Sequence, residues 1–208
     1  MKKNKKYFVT GTNTDVGKTF ISALLCEHLK ADYFKPIQTG SDGTLDANEI
    51  NKLTDAIIHK NSYCLKVPAS PAFAGKCEGV EIDFKNIKLP ETQNNLIVEG
   101  AGGCMVPINS TQITLDLIHY FDLPTILIVK NELGCVSSAL SSILALRSRN
   151  IEIAGVILNG EDDPLDNYGA IEYYGKVDVL DKIRFVDNPD KGKVKAYKLS
   201  EKLLDKLL

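Results

Sequence analysis

The stretch Tyr7-Phe8-Val9-Thr10-Gly11-Thr12-Asn13-Thr14-Asp15-Val16-Gly17-Lys18-Thr19 constrains the chain more than any other. A short apolar run of β type meets a glycine-containing turn, which delivers Gly-Lys-Thr to an apolar-periodic segment over residues 20–29. The order is strand, loop, helix. Such a loop aims successive backbone N–H groups at phosphate oxygens, and the positive end of the helix dipole favours the same anion. Asp15, Val16, Gly17, Lys18, Thr19 and Phe20 are therefore the candidate nucleotide contacts. Lys18 would reach the β/γ-phosphates and the Thr19 hydroxyl would ligate Mg²⁺. Five residues separate Gly11 from Gly17, where the general phosphate-loop pattern has four, and Thr12 stands in place of the usual first glycine. The competing reading is an ordinary βα turn with a solvated lysine. The strand before and the helix after favour phosphate.

The rest of the chain repeats the same alternation. Residues 31–36 read as a short strand ended by Pro36, with Lys35 at its carboxyl end, where open parallel sheets place ligands. Position alone does not separate a functional Lys35 from a solvated one. Residues 46–53 form a helical pattern after a polar loop, and Asp46 at its start reads either as a helix-terminal carboxylate or as a metal-linked one. Between 62 and 90 prolines and glycines break every period, which predicts a loop with one short helix near the mouth of the site.

The second strong signal is Asn95-Leu96-Ile97-Val98-Glu99-Gly100-Ala101-Gly102-Gly103. An apolar strand ends in a carboxylate and then in glycines, so Glu99 sits at the sheet's carboxyl edge where backbone approaches a ligand closely. Mg²⁺ carried by phosphates is a fitting partner, because hard cations prefer carboxylate, hydroxyl and phosphate oxygens. The alternative is a glutamate on a solvated loop. Further on come a helix over 114–121, an apolar strand over 124–130, a long helix over 134–149 and a strand over 153–159. An acidic turn at 161–164, a last strand at 183–186 and one amphipathic closing helix at 196–208 complete the expected elements. The fold class is α/β: a P-loop NTPase-like, doubly wound, mainly parallel sheet flanked by helices, in a single domain over residues 1–208.

Composition narrows the function. A formal charge of −2, from 25 basic and 27 acidic side chains, offers no general field for nucleic acid or an anionic membrane. No apolar stretch approaches the ~18 residues of a membrane span. The lysines at positions 2, 3, 5 and 6 lead into no signal-peptide core and read as a solvated terminus. Five cysteines, an odd number without metal-ligand spacing, indicate reduced thiols in a soluble cytoplasmic protein.

Taken together, Gly11 to Thr19, Lys35-Pro36-Ile37-Gln38-Thr39-Gly40, Val98 to Gly103 and Leu133-Gly134-Cys135 resemble the dethiobiotin synthetases, a family whose phosphate loop has the same five-residue gap. The resemblance spans residues 7–159 and implies substrates: 7,8-diaminononanoate, CO₂ and a nucleoside triphosphate, ATP, with Mg²⁺. It implies that Lys18 holds the β/γ-phosphates and that Thr19, Asp46 and Glu99 share Mg²⁺. Lys35 then neutralises the carbamate and the transferred phosphate, and Thr39 lies near the diamine. Thr14 and Asp15 flank the reacting amine and phosphate, Asp15 standing where a glutamate is common. Gly100, Ala101 and Gly102 approach the nucleotide, and Asn159 matches a base-reading asparagine. Backbone N–H groups of Cys135, Val136 and Ser137 would bind the substrate carboxylate of the other subunit, which makes a homodimer with its site at the interface.

Two departures stand out. Glu132 replaces a lysine expected beside that helix, and the Gly-x-(Ile/Leu)-Pro segment that lines the family's adenine pocket is missing. The second predicts weak discrimination among nucleoside triphosphates. Rival readings are a nucleotide-switch ATPase of the partitioning or nitrogenase-iron-protein type, an amidotransferase-like synthetase and a non-catalytic binding module. The first usually carries an early second lysine, where this chain has Gly11-Thr12-Asn13; the second needs a glutaminase portion; the third leaves Lys35, Asp46 and Glu99 unexplained.

Overall fold

The computed structural model describes residues 4–43, 45–161 and 166–208. Lys2 and Lys3 of the basic terminus, and the acidic turn beyond Glu161, lie outside the described residues. Seven strands form one sheet in which every pairing is parallel, in the order β4-β2-β6-β1-β7-β8-β9. These are β1 (Lys6–Gly11), β2 (Ala31–Phe34), β4 (Ile58–His59), β6 (Asn95–Gly103), β7 (Thr125–Lys130), β8 (Ile153–Asn159) and β9 (Val179–Ile183). A separate two-stranded pair joins β3 (Ile37–Gln38) to β5 (Tyr63–Cys64). The helices are α1 (Lys18–Leu29), α2 (Asp46–Leu53), α3 (Pro71–Glu78), α4 (Thr114–Phe121), α5 (Cys135–Ser148), α6 (Asn167–Gly175), α7 (Lys191–Ala196) and α8 (Glu201–Leu207).

The apolar strands are continuous because both faces of the sheet are covered. Tyr7, Val9, Ile97, Ile126 and Ile128 pack with Ile21, Leu24 and Leu25 of α1 on one face. On the other, Phe8, Leu96 and Val98 meet Leu115 and Ile118 of α4, while Leu127 and Val129 meet Ala139 and Ile143 of α5. The strand period of two divides these residues between the layers. β1 lies between β6 and β7, so the chain leaves it toward β2 on one side and returns beyond it at β7. That reversal of strand order opens a crevice at the carboxyl ends, where the loop after β1 emerges.

Several elements differ from the sequence expectation. β6 does not stop at Glu99 but runs through the glycines to Gly103, and the register jumps from Val9↔Glu99 to Gly11↔Gly103. This bulge depends on missing side chains: a Cβ on Gly100 would lie 2.9 Å from the Phe8 ring. The last strand lies at 179–183 rather than 183–186, and its Asp181 and Lys182 face outward at the sheet edge, which hides it from an apolar count. The closing helix expected over 196–208 is shorter, α8 at Glu201–Leu207, and a separate helix, α7 at Lys191–Ala196, precedes it. Asp190 accepts from the Lys193 N–H and Ser200 from the Leu203 N–H, so each caps its own helix, with Tyr197 extended between them.

Candidate functional site

The carboxyl ends of β1, β2 and β6 converge on a pocket of about 400 Å³. Its floor carries Lys18, Thr19, Lys35, Asp46 and Glu99, and its rim carries Thr14, Asp15, Thr39 and Gly40. Gly17, Phe20, Ala101 and Gly102 also line it.

The loop after β1 is shaped by left-handed residues. Asp15 has φ 57° and Gly17 φ 90°, and a Cβ on Gly17 would come within 2.0 Å of the Asn159 side-chain nitrogen. Only glycine fits there. Gly17 also stands at the start of α1 with no side chain capping the helix, so the N–H groups of the first turn face the pocket without a competing side-chain acceptor. Lys18 is buried and donates to the Asn13 carbonyl at 3.1 Å. Burial holds its pKa below the ordinary lysine value, Lys35 adds to the lowering, and Glu99 opposes it.

A charged cluster lies beside that lysine. The Thr19 hydroxyl is 2.7 Å from Asp46 Oδ1 and 3.0 Å from Glu99 Oε1, so one proton is shared between two carboxylates. Lys35 Nζ lies 2.8 Å from Asp46 Oδ2 and 3.2 Å from Glu99 Oε1. Burial alone would push Lys35 down, but the two carboxylates carry it above the usual lysine range, and it stays cationic. Burial would likewise raise Asp46; Lys35, Thr19 and Gln38 outweigh it and hold Asp46 low. Asp46 is therefore not an end cap, since its carboxylate turns to Thr19 and Lys35 while Leu45 occupies the cap position.

The donor set suits Mg²⁺. Two carboxylates and a hydroxyl within hydrogen-bond reach of one another are hard oxygen ligands, and they sit where a phosphate bound to the loop would supply the rest. Among the described residues no group of three or more His, Cys, Asp or Glu side chains could hold a metal ion.

A sequence profile described as an AAA domain matches residues 5–189. An ATP-dependent dethiobiotin synthetase from Lawsonia intracellularis is 44% identical over 95% of this chain and 97% of its own length. One from Christiangramia forsetii is 43% identical over 93% and 94%. The chain belongs to the dethiobiotin synthetase family. A plasmid partition protein from Borrelia burgdorferi, solved with AMPPNP, superposes with a TM-score of 0.54 at 12% identity, covering 99% of this chain and 98% of that one. That likeness shows the fold alone.

The structure separates the expected site residues into groups. Twelve of them line the pocket: Thr14, Asp15, Gly17, Lys18, Thr19, Phe20, Lys35, Thr39, Asp46, Glu99, Ala101 and Gly102. Val16 is buried under the loop, and Gly100 is set against Phe8. Asn159 closes on the loop from β8, its amide donating to the Val16 carbonyl at 2.9 Å. Cys135, Val136 and Ser137 are not brought into this pocket, and the Cys135 N–H donates to the Glu132 carbonyl at 3.0 Å. Glu132 itself pairs with Lys130 at 2.8 Å.

Gly40 and Pro68, which line the pocket, were not among the expected site residues, and neither were two polar residues beside Lys35. Gln38 lines the pocket and donates to the Thr39 carbonyl at 2.8 Å, and Tyr33 donates to Glu99 Oε2 at 3.1 Å. The only available signal was a polar group at a buried position, Tyr33 lying within β2 two residues before Lys35, which follows the end of that strand.

Proposed function

We infer that this protein is an ATP-dependent dethiobiotin synthetase that carboxylates 7,8-diaminononanoate and closes the cyclic urea. The observation that carries the site reading is the meeting of Lys18, Lys35, Thr19, Asp46 and Glu99 in one pocket whose rim is formed by exposed Thr14 and Asp15. A nucleotide-binding module needs the first lysine and the hydroxyl. It does not need a second buried cation over the same carboxylates.

One amine of the diamine attacks CO₂ and loses a proton, giving a carbamate. A carbamate oxygen attacks the γ-phosphorus and ADP leaves. The second amine then attacks the carbonyl carbon of the mixed anhydride, phosphate departs with the C–O bond electrons, and the ring closes. Positioning and charge neutralisation carry such transfers. Lys18 and the first-turn N–H groups of α1 hold the β/γ-phosphates. Lys35, fixed and cationic, stabilises the negative charge on the carbamate and on the transferred phosphoryl group. Thr14, Asp15 and Thr39 orient the amines at the rim. Thr19, Asp46 and Glu99 would hold Mg²⁺, which supplies charge neutralisation to the phosphates.

In this reading the backbone N–H groups at the start of α5, expected at Cys135, Val136 and Ser137, serve the carboxylate of a substrate bound in a partner subunit of a homodimer; the Cys135 N–H already donates to the Glu132 carbonyl, which leaves Val136 and Ser137 for that role. No disulfide joins the five cysteines, which suits a reducing cytoplasm. No helix among the described residues is long and apolar enough to cross a membrane. The test is phosphate release by the purified protein with and without 7,8-diaminononanoate and bicarbonate. Release that depends on both is expected, and release indifferent to the diamine overturns the reading.

A further inference from the structure

Glu99 presents two oxygens to different partners. Oε1 faces the pocket side, 3.0 Å from Thr19 and 3.2 Å from Lys35. Oε2 accepts from the Tyr33 hydroxyl at 3.1 Å, and both side chains are fully buried. A carboxylate turns readily about its last torsion, which is broad and two-fold. A ring wedged in the core between β6 and α1 does not turn, so the hydroxyl pins one oxygen and thereby aims the other.

We propose that Tyr33 is a positioning residue that fixes the Glu99 carboxylate for the divalent cation accompanying the nucleotide. Tyr33 does not line the pocket and touches no substrate; it acts through Glu99. The register Tyr33↔Ile97 sets the Tyr33 side chain two residues short of Glu99 on the neighbouring strand, a distance that the length of the phenol spans. Phenylalanine would fill the same core space and lose only the hydroxyl. Partners of metal-bound carboxylates carry a large share of metal affinity, about 10–100-fold when removed.

This inference rests on the reading of Glu99 as a metal ligand, and the experiment separates the two. Mn²⁺ binding to the ADP complex is measured by electron paramagnetic resonance for wild type, Tyr33→Phe and Glu99→Gln. Tyr33→Phe is expected to bind Mn²⁺ about tenfold more weakly, to bind ADP in EDTA as wild type does, and to need more Mg²⁺ for half-maximal turnover at little cost in saturated kcat. Mn²⁺ affinity within about twofold of wild type in folded Tyr33→Phe, with Glu99→Gln impaired, overturns the positioning role alone. Wild-type affinity in Glu99→Gln overturns the metal reading beneath it. Near-ultraviolet difference absorption gives a readout that needs no variant. Mg²⁺ added to the wild-type ADP complex is expected to perturb the tyrosine band, and a flat difference spectrum also overturns the inference.

Discussion

Replacing Lys35 by glutamine separates holding the nucleotide from transferring its phosphoryl group. The ammonium lies 2.8 Å from Asp46 and 3.2 Å from Glu99, and the three side chains are 7%, 26% and 0% exposed. Its removal leaves two carboxylates facing each other without their cation. Breaking a buried pair costs about 3–5 kcal/mol. Asp46 reaches solvent over a quarter of its surface, and the glutamine amide keeps one donor, so about 3 kcal/mol is the expected loss. At roughly 2–4 °C per kcal/mol for a chain of this size, the melting midpoint falls by roughly 6–12 °C and the protein stays folded at 25 °C. Turnover falls further. A fixed donor at developing negative charge is worth about 2.7–4 kcal/mol, so kcat should drop by about 10²–10³. ADP affinity should change by less than about threefold, because a contact made only with the transferred group adds nothing to product binding. Phosphate release at saturating diamine gives kcat, and titration calorimetry gives the ADP dissociation constant. Equal losses in both would refute the reasoning and reassign Lys35 to the nucleotide itself.

Three other outcomes follow from the loop and its surroundings. Gly17→Ala should abolish ADP binding in calorimetry while the far-ultraviolet circular dichroism stays native, since the new Cβ would sit 2.0 Å from the Asn159 nitrogen at φ 90°; retained affinity would show that Asn159 simply swings away. On the proposed reading Lys18 binds phosphate as the cation, and its pKa in the free protein is lowered, chiefly by burial. ADP affinity should therefore begin to fall at a lower pH than the ~10.4 of an ordinary lysine, and a profile flat to that point would contradict the burial argument. ATP, GTP and CTP should compete for the site with dissociation constants within about tenfold of one another, a spread of 1.4 kcal/mol, because the expected adenine-lining segment is missing and Tyr173 to Arg184 shows nothing equivalent; far tighter ATP binding would count against this.

The parts legible in the sequence are those whose chemistry is local. Gly17-Lys18-Thr19 and Glu99-Gly100 announce themselves because a glycine beside a charged group at the end of an apolar strand has few structural uses. Long-range placement is less visible. Thr19 and Asp46 are 27 positions apart and Thr19 and Glu99 are 80 apart, and only the parallel topology, with every strand ending on the same side, brings them together. Tyr33 was hidden for the opposite reason: its ring satisfies the core pattern of β2 so well that nothing marks its hydroxyl as a site group. The closing helix expected over 196–208 began too early because Asp190 and Ser200 decide the boundaries by hydrogen bonds that periodicity does not report.

The additional loop residue takes its meaning from where the exposed positions fall. Asn13, Thr14 and Asp15 stand out in solvent, whereas Gly11, Val16 and Lys18 on either side are buried, so the extra length bulges outward and leaves the phosphate-facing end at Gly17 unchanged. Lys18 folds back to the Asn13 carbonyl and ties the bulge to the floor of the pocket. The bulge carries the Thr14 hydroxyl and the Asp15 carboxylate at the mouth of the pocket that Lys35 also lines. On the proposed reading the end of the loop next to α1 holds phosphate and the bulge meets the acceptor, so substitutions in the two parts are expected to act independently.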